Sequence, residues 1–218
     1  MSFLEQLHQE LDQYHLLKHT FYQEWTKGEL SIDTLQIYAK EYYGHVAAFP
    51  RYISAIHSLC ENIYDRQVLL ENLIDEEQGE ENHPELWLRF AEGLGCTREE
   101  CKKQELYSSR QLVDKYFDIT RSNFASGIGA LYAYERQTPT VSKSKIEGLK
   151  KFYGINDKAT LNFFEVHMVA DEWHTQECAK LLDQLNAQDQ ELARKGAVQG
   201  SKLLWSFLDE MQQIHLNN

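Results

Sequence analysis

Apolar residues recur at helical spacing along nearly the whole chain, and helix-stop and helix-start residues separate the runs. Phe3, Leu4, Leu7, Leu11, Tyr14 and Leu17 predict an amphipathic helix near residues 2–19, with His8, His15 and His19 on it as surface or outer histidines. After Lys27-Gly28, Ser31 is a suitable N-cap for a long helical segment reaching about Cys60. Pro50 lies within it, and its missing donor and ring clash predict a kink or short break. A further helix runs from about Ile63 to Gly79, and another begins at Pro84 and ends at Gly93 and Gly95. Pro84 disfavours the αR region at His83, so His83 closes one helix or caps the next. Thr97 and Glu100 form a capping box. Residues near 106–121 and 124–137 read as helices broken at Asn123, and Gly127 and Gly129 in the second suggest close packing. A connection holding Pro139 precedes a helix from about Ser142 to Tyr153, stopped by Gly154. Asn156 or Asp157 then caps a long helix to about Leu185, and a last helix spans about 188–215. No segment alternates with period two between turns, so the expected fold is all-α.

Length and composition narrow the class. A chain of 218 residues that is 42% hydrophobic suits one full-sized core, and residues 1–218 read as a single domain. The net charge of −12 argues against nucleic acid or an anionic membrane as partner, since both are bound through clustered Lys and Arg. Cys60, Cys96, Cys101 and Cys178 show no CxxC spacing, and no basic-then-apolar leader pattern opens the chain, which points to a cytoplasmic protein with free thiols. No apolar run approaches the length of a membrane span.

The candidate chemistry lies in three stretches. In Asn162–Cys178, His167, Asp171 and His174 stand at i, i+4 and i+7, so all three project from one helix face. Two imidazoles and a carboxylate are donors that iron, manganese or zinc accept. In Asn72–Trp87, Glu76 and His83 are again seven apart, and in Ala130–Gln137 Glu135 ends an apolar run. Each stretch alone is ordinary for a helical protein with nine histidines. Together they supply three histidines and three carboxylates, a set suited to two divalent ions.

With these residues laid out, the sequence resembles the heme-oxygenase-like family of non-heme dimetal oxidases, from WTKGELSIDTLQIYAKEYYGHVAAFPRY to LLWSFLDEM. Within that family it is similar to the chlamydial death-domain-associating subgroup, which makes para-aminobenzoate. More distantly it resembles pyrroloquinoline quinone biosynthesis protein C and the thiaminase-like proteins. The likeness implies a single-domain helical bundle with a central dimetal cavity. The family's metal ligands fall on Glu76, His83, Glu135, His167, Asp171 and His174, with Glu135 placed to bridge two ions, either two Fe or one Mn and one Fe. HTFYQEW aligns Tyr22 with the tyrosine that the subgroup consumes as its own substrate. KIEGLKKFYG aligns Lys145 with a lysine proposed to supply an amino group, and AYE sets Tyr134 beside Glu135.

The implied function is an O₂-dependent, self-sacrificing oxidation of Tyr22, of about one turnover, that needs an external reductant and yields a folate precursor. The resemblance also carries the expectation of a homodimer whose other partners are small molecules. Three other readings are a dimetal oxidase acting on an external small molecule, a partner-binding module, and a metal-free thiaminase-like or quinone-forming enzyme. A partner-binding surface needs no interior six-ligand set, and a full ligand set argues against the metal-free reading.

Overall fold

Helix α8 (Phe124–Glu135) is apolar on every side, and each of its residues from Ala125 to Glu135 is buried. Such a helix must be surrounded, and the rest of the bundle does so. The computed structural model describes residues 1–217, and residue 172 only in its backbone. In chain order the other helices are α1 (Phe3–Leu11), α2 (Thr20–Lys27), α3 (Ile32–Leu59), α4 (Ile63–Glu77), α5 (His83–Gly93), α6 (Arg98–Cys101), α7 (Tyr107–Ser122), α9 (Thr138–Tyr153), α10 (Lys158–Asp183) and α11 (Ala187–Asn217). No strand occurs among the described residues. The architecture is thus the expected all-α single domain. Helix α11 packs along α8, α10 lies against α9, α5 and α8, and α3 packs on α7, α4 and α5.

Close approach of α8 and α11 depends on glycine. A Cβ at Gly129 would collide with the Ala193 carbonyl, and one at Gly196 with the Ser126 carbonyl. Each backbone therefore rests on a glycine of the other. The expected close packing at Gly129 is present for this reason, and Gly127 likewise leaves room for Ile56 of α3.

Several boundaries differ from the sequence expectation. The first helix ends at Leu11 instead of near residue 19, and two short 3₁₀ turns, Asp12–Tyr14 and Leu16–Lys18, follow. His15 and His19 accept hydrogen bonds from the amides of Leu17 and Phe21 at 3.3 and 3.1 Å, so these rings act as caps where a serine or aspartate is more usual. The His19 cap starts α2, the helix that carries Tyr22. Helix α3 continues through Pro50 without the short break that was one expectation there. Buried Val46, Ala48, Phe49, Tyr52 and Ile53 flank that proline, and their packing outweighs the roughly 3 kcal/mol that an interior proline costs. Asn82, not His83, caps α5, accepting from the Glu85 amide at 3.0 Å. His83 is the first helical residue and its ring is free to turn inward. Pro139 lies in the first turn of α9 instead of in a connection, because proline at that position gives up an amide that has no helical partner.

Gly129→Ala should lower stability by about 1–3 kcal/mol, the usual range for overpacking, because the obstruction is backbone and cannot rotate away. Denaturant melts of the two proteins will show it, and an unchanged midpoint would mean the helices are not in backbone contact.

Candidate metal centre

Four helices bring the six predicted side chains inward: α4 contributes Glu76, α5 His83, α8 Glu135, and α10 His167, Asp171 and His174. None of the six is more than 2% exposed. They form two groups, Glu76 with His83 and His167, and Glu135 with Asp171 and His174, the donor atoms within each group lying within 4.8 Å of one another. The i, i+4, i+7 spacing on α10 thus serves both groups, its first member in one and its last two in the other.

The details fit cations. Glu76 Oε2 and His83 Nδ1 are 2.7 Å apart, yet that nitrogen has no aligned hydrogen-bond partner. The atoms lie side by side, as two donors converging on a common point do. Asp171 Oδ2 is likewise buried with no partner. His167 Nδ1 is 2.6 Å from the Phe163 carbonyl. A carbonyl only accepts, so Nδ1 carries the proton and Nε2 keeps its lone pair for a ligand. Three carboxylates and three imidazoles offer hard oxygen and borderline nitrogen donors of the kind that iron and manganese accept.

Electrostatics points the same way. Burial, with Asp171 and Glu76 adding to it against His174 and Asn72, pushes the Glu135 carboxyl up to about 8. Burial would lower His174, but Asp171, Glu135 and Asp75 outweigh it and raise it to about 9. Burial would likewise lower His83, but Glu76 outweighs it and His83 is raised, with Asp171 adding to the effect, so the two groups share one field. Glu76 shows the reverse: burial would raise it, but His83 outweighs this and holds its carboxyl low. Protons are drawn to places where positive charge is wanted, and metal ions would displace them.

A second constellation surrounds Lys145. Its amine donates to the Tyr38 hydroxyl at 2.8 Å, and the Tyr38 and Tyr22 hydroxyls are also 2.8 Å apart. Six rings, those of Tyr22, Trp25, Tyr38, Tyr42, Trp87 and Phe164, lie 5.2–5.9 Å from the amine. With no carboxylate paired to it among the described residues, burial alone pushes Lys145 down to about 7. Tyr38 stacks on Tyr42 at 5.5 Å between ring centroids, and the Tyr42 hydroxyl donates to Tyr134 at 3.4 Å. Tyr134 precedes Glu135, so aromatic contacts run continuously from the ring of Tyr22 to the residue beside the second group.

Comparison with known proteins shows the family. Residues 36–205 match a family described as iron-containing redox enzymes. The chain belongs to that family. This redox enzyme is 39% identical over 211 residues to the 4-aminobenzoate synthase of Chlamydia trachomatis, covering 96% of this chain and 91% of the relative. It is 35% identical over 230 residues to the 4-aminobenzoate synthase of Nitrosomonas europaea, covering 100% and 94%. Among solved structures, a TenA homologue from Pseudomonas syringae superposes with a TM-score of 0.83 at 18% identity, over 97% of this chain and 93% of that one. That likeness shows the heme-oxygenase-like fold. Among the described residues no helix is long and apolar enough to cross a membrane, and the four cysteines are free and buried.

Sequence reasoning missed four residues in contact with these groups, three buried and one, Asp75, at the surface. Tyr38 joins Tyr22 to Lys145. Asn72 donates to Glu135 Oε1 at 2.7 Å, and the Cys178 thiol lies 3.4 Å from Glu135 Oε2. Asp75 lies 3.1 Å from His174 Nε2. A helical signal was available for two of them, since Asn72 precedes Glu76 by four residues and Cys178 follows His174 by four.

His167→Ala should lose at least one metal ion from protein loaded with iron and manganese, measured by metal analysis. The metal-free parent should melt lower than the loaded one at the same pH, because clustered buried carboxylates then lack counter-charge. Equal metal content in the variant, or equal melting of the two forms, would oppose the site.

Lys145 gives a pH test. Its folded value, about 7, lies below the ordinary 10.5, so between these limits the unfolded chain holds a proton that the folded one lacks. Stability therefore rises with pH across that window, by about 1.4 kcal/mol per unit, and below pH 7 the cost of the buried charge is fully present. Relative to Lys145→Met, the parent should gain stability between pH 7 and 10 in denaturant melts; parallel curves would mean an ordinary lysine.

Proposed function

We propose that this redox enzyme makes para-aminobenzoate by O₂-dependent oxidation of its own Tyr22, with Lys145 supplying the amino group. The observation that carries the reading is the buried hydrogen-bonded run from the Tyr22 hydroxyl through Tyr38 to the Lys145 amine, each step 2.8 Å. The relatives named 4-aminobenzoate synthase support the same product class.

The atoms of the tyrosine side chain suit the product. Para-aminobenzoate carries its nitrogen para to a carboxyl carbon, as tyrosine carries its oxygen para to Cβ. In this reading the lysine nitrogen parts from Cε and replaces the phenolic oxygen, which leaves as water, while O₂ oxidises Cβ to the carboxyl carbon and the Cα–Cβ bond is cut. Lys145 is suited to give nitrogen because burial leaves much of it neutral near pH 7, and a neutral amine has the lone pair that attack requires. Tyr38 holds the amine beside the Tyr22 hydroxyl and relays a proton between them. The phenols of Tyr22, Tyr38, Tyr42 and Tyr134 resist ionisation because burial raises all four, so an electron and a proton must leave each together. Their contacts offer a path for an oxidising equivalent toward Tyr22.

Glu76, His83 and His167 would hold one ion and Glu135, Asp171 and His174 the other, as two iron or as one manganese and one iron. Such ions supply O₂ activation when electrons come from an external reductant. The surrounding helices exclude water from the interior.

Tyr22→Phe should keep both metals and lose para-aminobenzoate, since phenylalanine preserves the ring volume without the phenolic oxygen. The parent, incubated with O₂, reductant and metals, should yield about one product per chain, measured by chromatography, with a matching loss of mass from the protein. Product from Tyr22→Phe at the parent's level, or many equivalents per parent chain, would turn the reading to an external substrate.

A further inference from the structure

Helix α4 is held to the bundle in an unusual way. Its buried residues are Leu69, Asn72 and Glu76, two of them polar, while Ile63, Leu70 and Ile74 remain exposed. An amphipathic helix ordinarily buries its apolar stripe. Here the inward face is given to polar contacts with the six-residue centre. Glu76 belongs to the first group. Asn72, one turn earlier, donates to Glu135 Oε1 at 2.7 Å, and Asp75 reaches His174 Nε2 at 3.1 Å. Both of the latter contacts go to the second group.

We propose that Asn72 and Asp75 are positioning residues for the second cation site, fixing Glu135 and His174 in ligating orientation from outside the ligand set. This rests on the dimetal reading above. Both ring nitrogens of His174 face carboxylates, Nε2 that of Asp75 at 3.1 Å and Nδ1 that of Asp171 at 3.4 Å; with a cation engaging Asp171 and Glu135, Asp75 is the acceptor left for the ring and keeps the proton of neutral His174 on Nε2. Nδ1 then presents its lone pair on the side where Asp171 Oδ1 and Glu135 Oε1 lie, at 3.4 and 3.9 Å. The negative charge of Asp75 also makes that nitrogen a better donor. Asn72 acts on the other ligand. Its amide takes Oε1 of Glu135, while the Cys178 thiol contacts Oε2 at 3.4 Å, so both oxygens are held and the carboxylate plane is fixed.

Two observations argue against a purely structural role. The Asn72 carbonyl oxygen is buried with no hydrogen-bond partner. A residue chosen for stability alone would not leave that group unsatisfied. The Asp75 side chain is 53% exposed, and its ion-pair contact is to a histidine that is fully buried. An exposed aspartate contributes little to the fold through such a pair, but it can still set the tautomer of the ring it touches. The first group uses a different device: His167 is oriented by a backbone carbonyl, that of Phe163. Loss of Asp75 or Asn72 should therefore weaken one ion and spare the other.

The test is an anaerobic titration of full-length protein with Mn(II), following free Mn(II) by electron paramagnetic resonance. Parent, Asp75→Ala, Asp75→Asn and Asn72→Ala are compared, together with melting of each metal-free form. The parent should bind two ions. Each variant should bind one of them about 10–100-fold more weakly, the usual effect of losing such a partner, and the other within twofold of the parent. The spectrum of the weakened ion should change, and the metal-free melting temperature of the Asp75 variants should match the parent's. Two ions bound as tightly as in the parent, or both weakened equally, would overturn the proposal. If Asp75→Ala does not fold, Asp75→Asn, equal in size, decides. A parent that binds no ion would instead sink the dimetal reading itself, a result distinct from either outcome in the variants.

Discussion

Burial of like charge is the constraint on which this molecule turns. Glu76, Glu135 and Asp171 lie in the interior of a helical bundle, and the ion-pair partners around them are histidines, which are charged only when protonated. Carboxylates in an apolar interior ordinarily neutralise by taking protons, and the upward displacement of Glu135 and His174 shows that pull. A pair of divalent cations answers the same demand with fixed positive charge. Metal held there would therefore stabilise the fold as it bound.

The rest of the bundle exists in relation to that centre. Helix α8 can carry Tyr134 and Glu135 into the middle of the protein because glycine contacts let α11 close over it at backbone distance. Helix α10 touches α4, α5 and α8, the three other helices that contribute to the six-residue cluster. Only a short connection links α4 to α5, so Glu76 near the end of one and His83 at the start of the other stay close. Close packing also makes the interior dry, which is what raises every buried phenol and lowers Lys145.

Two chemically distinct regions result. The centre between α4, α5, α8 and α10 is acidic and suited to cations. The pocket around Lys145 is aromatic and holds a solitary amine whose proton is loosely bound. A continuous series of tyrosines joins them, Tyr134 and Tyr42 on one side, Tyr38 and Tyr22 on the other. The cluster of carboxylates and imidazoles and the buried amine are thus kept in separate environments.

Much of this was legible along the chain. Period-3.6 patterning determined an all-α chain, and the i, i+4, i+7 array on α10 determined that His167, Asp171 and His174 share a helix face, because helical geometry follows from local sequence. The likeness of motifs supplied Tyr22, Lys145 and Tyr134. Local rules failed where tertiary packing outweighed them: α3 passes through Pro50, and His19, a residue with weak capping preference, starts the helix that carries Tyr22. The tertiary structure alone divided the six candidate residues into two groups and split the α10 array between them. It alone brought Tyr38 between Tyr22 and Lys145, residues 123 positions apart (145 − 22), and turned Asn72 and Asp75 toward Glu135 and His174. Sequence spacing fixes which side chains share a helix face, but contacts between helices depend on how deeply their surfaces interlock, and that is decided by the volumes of residues distant in the chain.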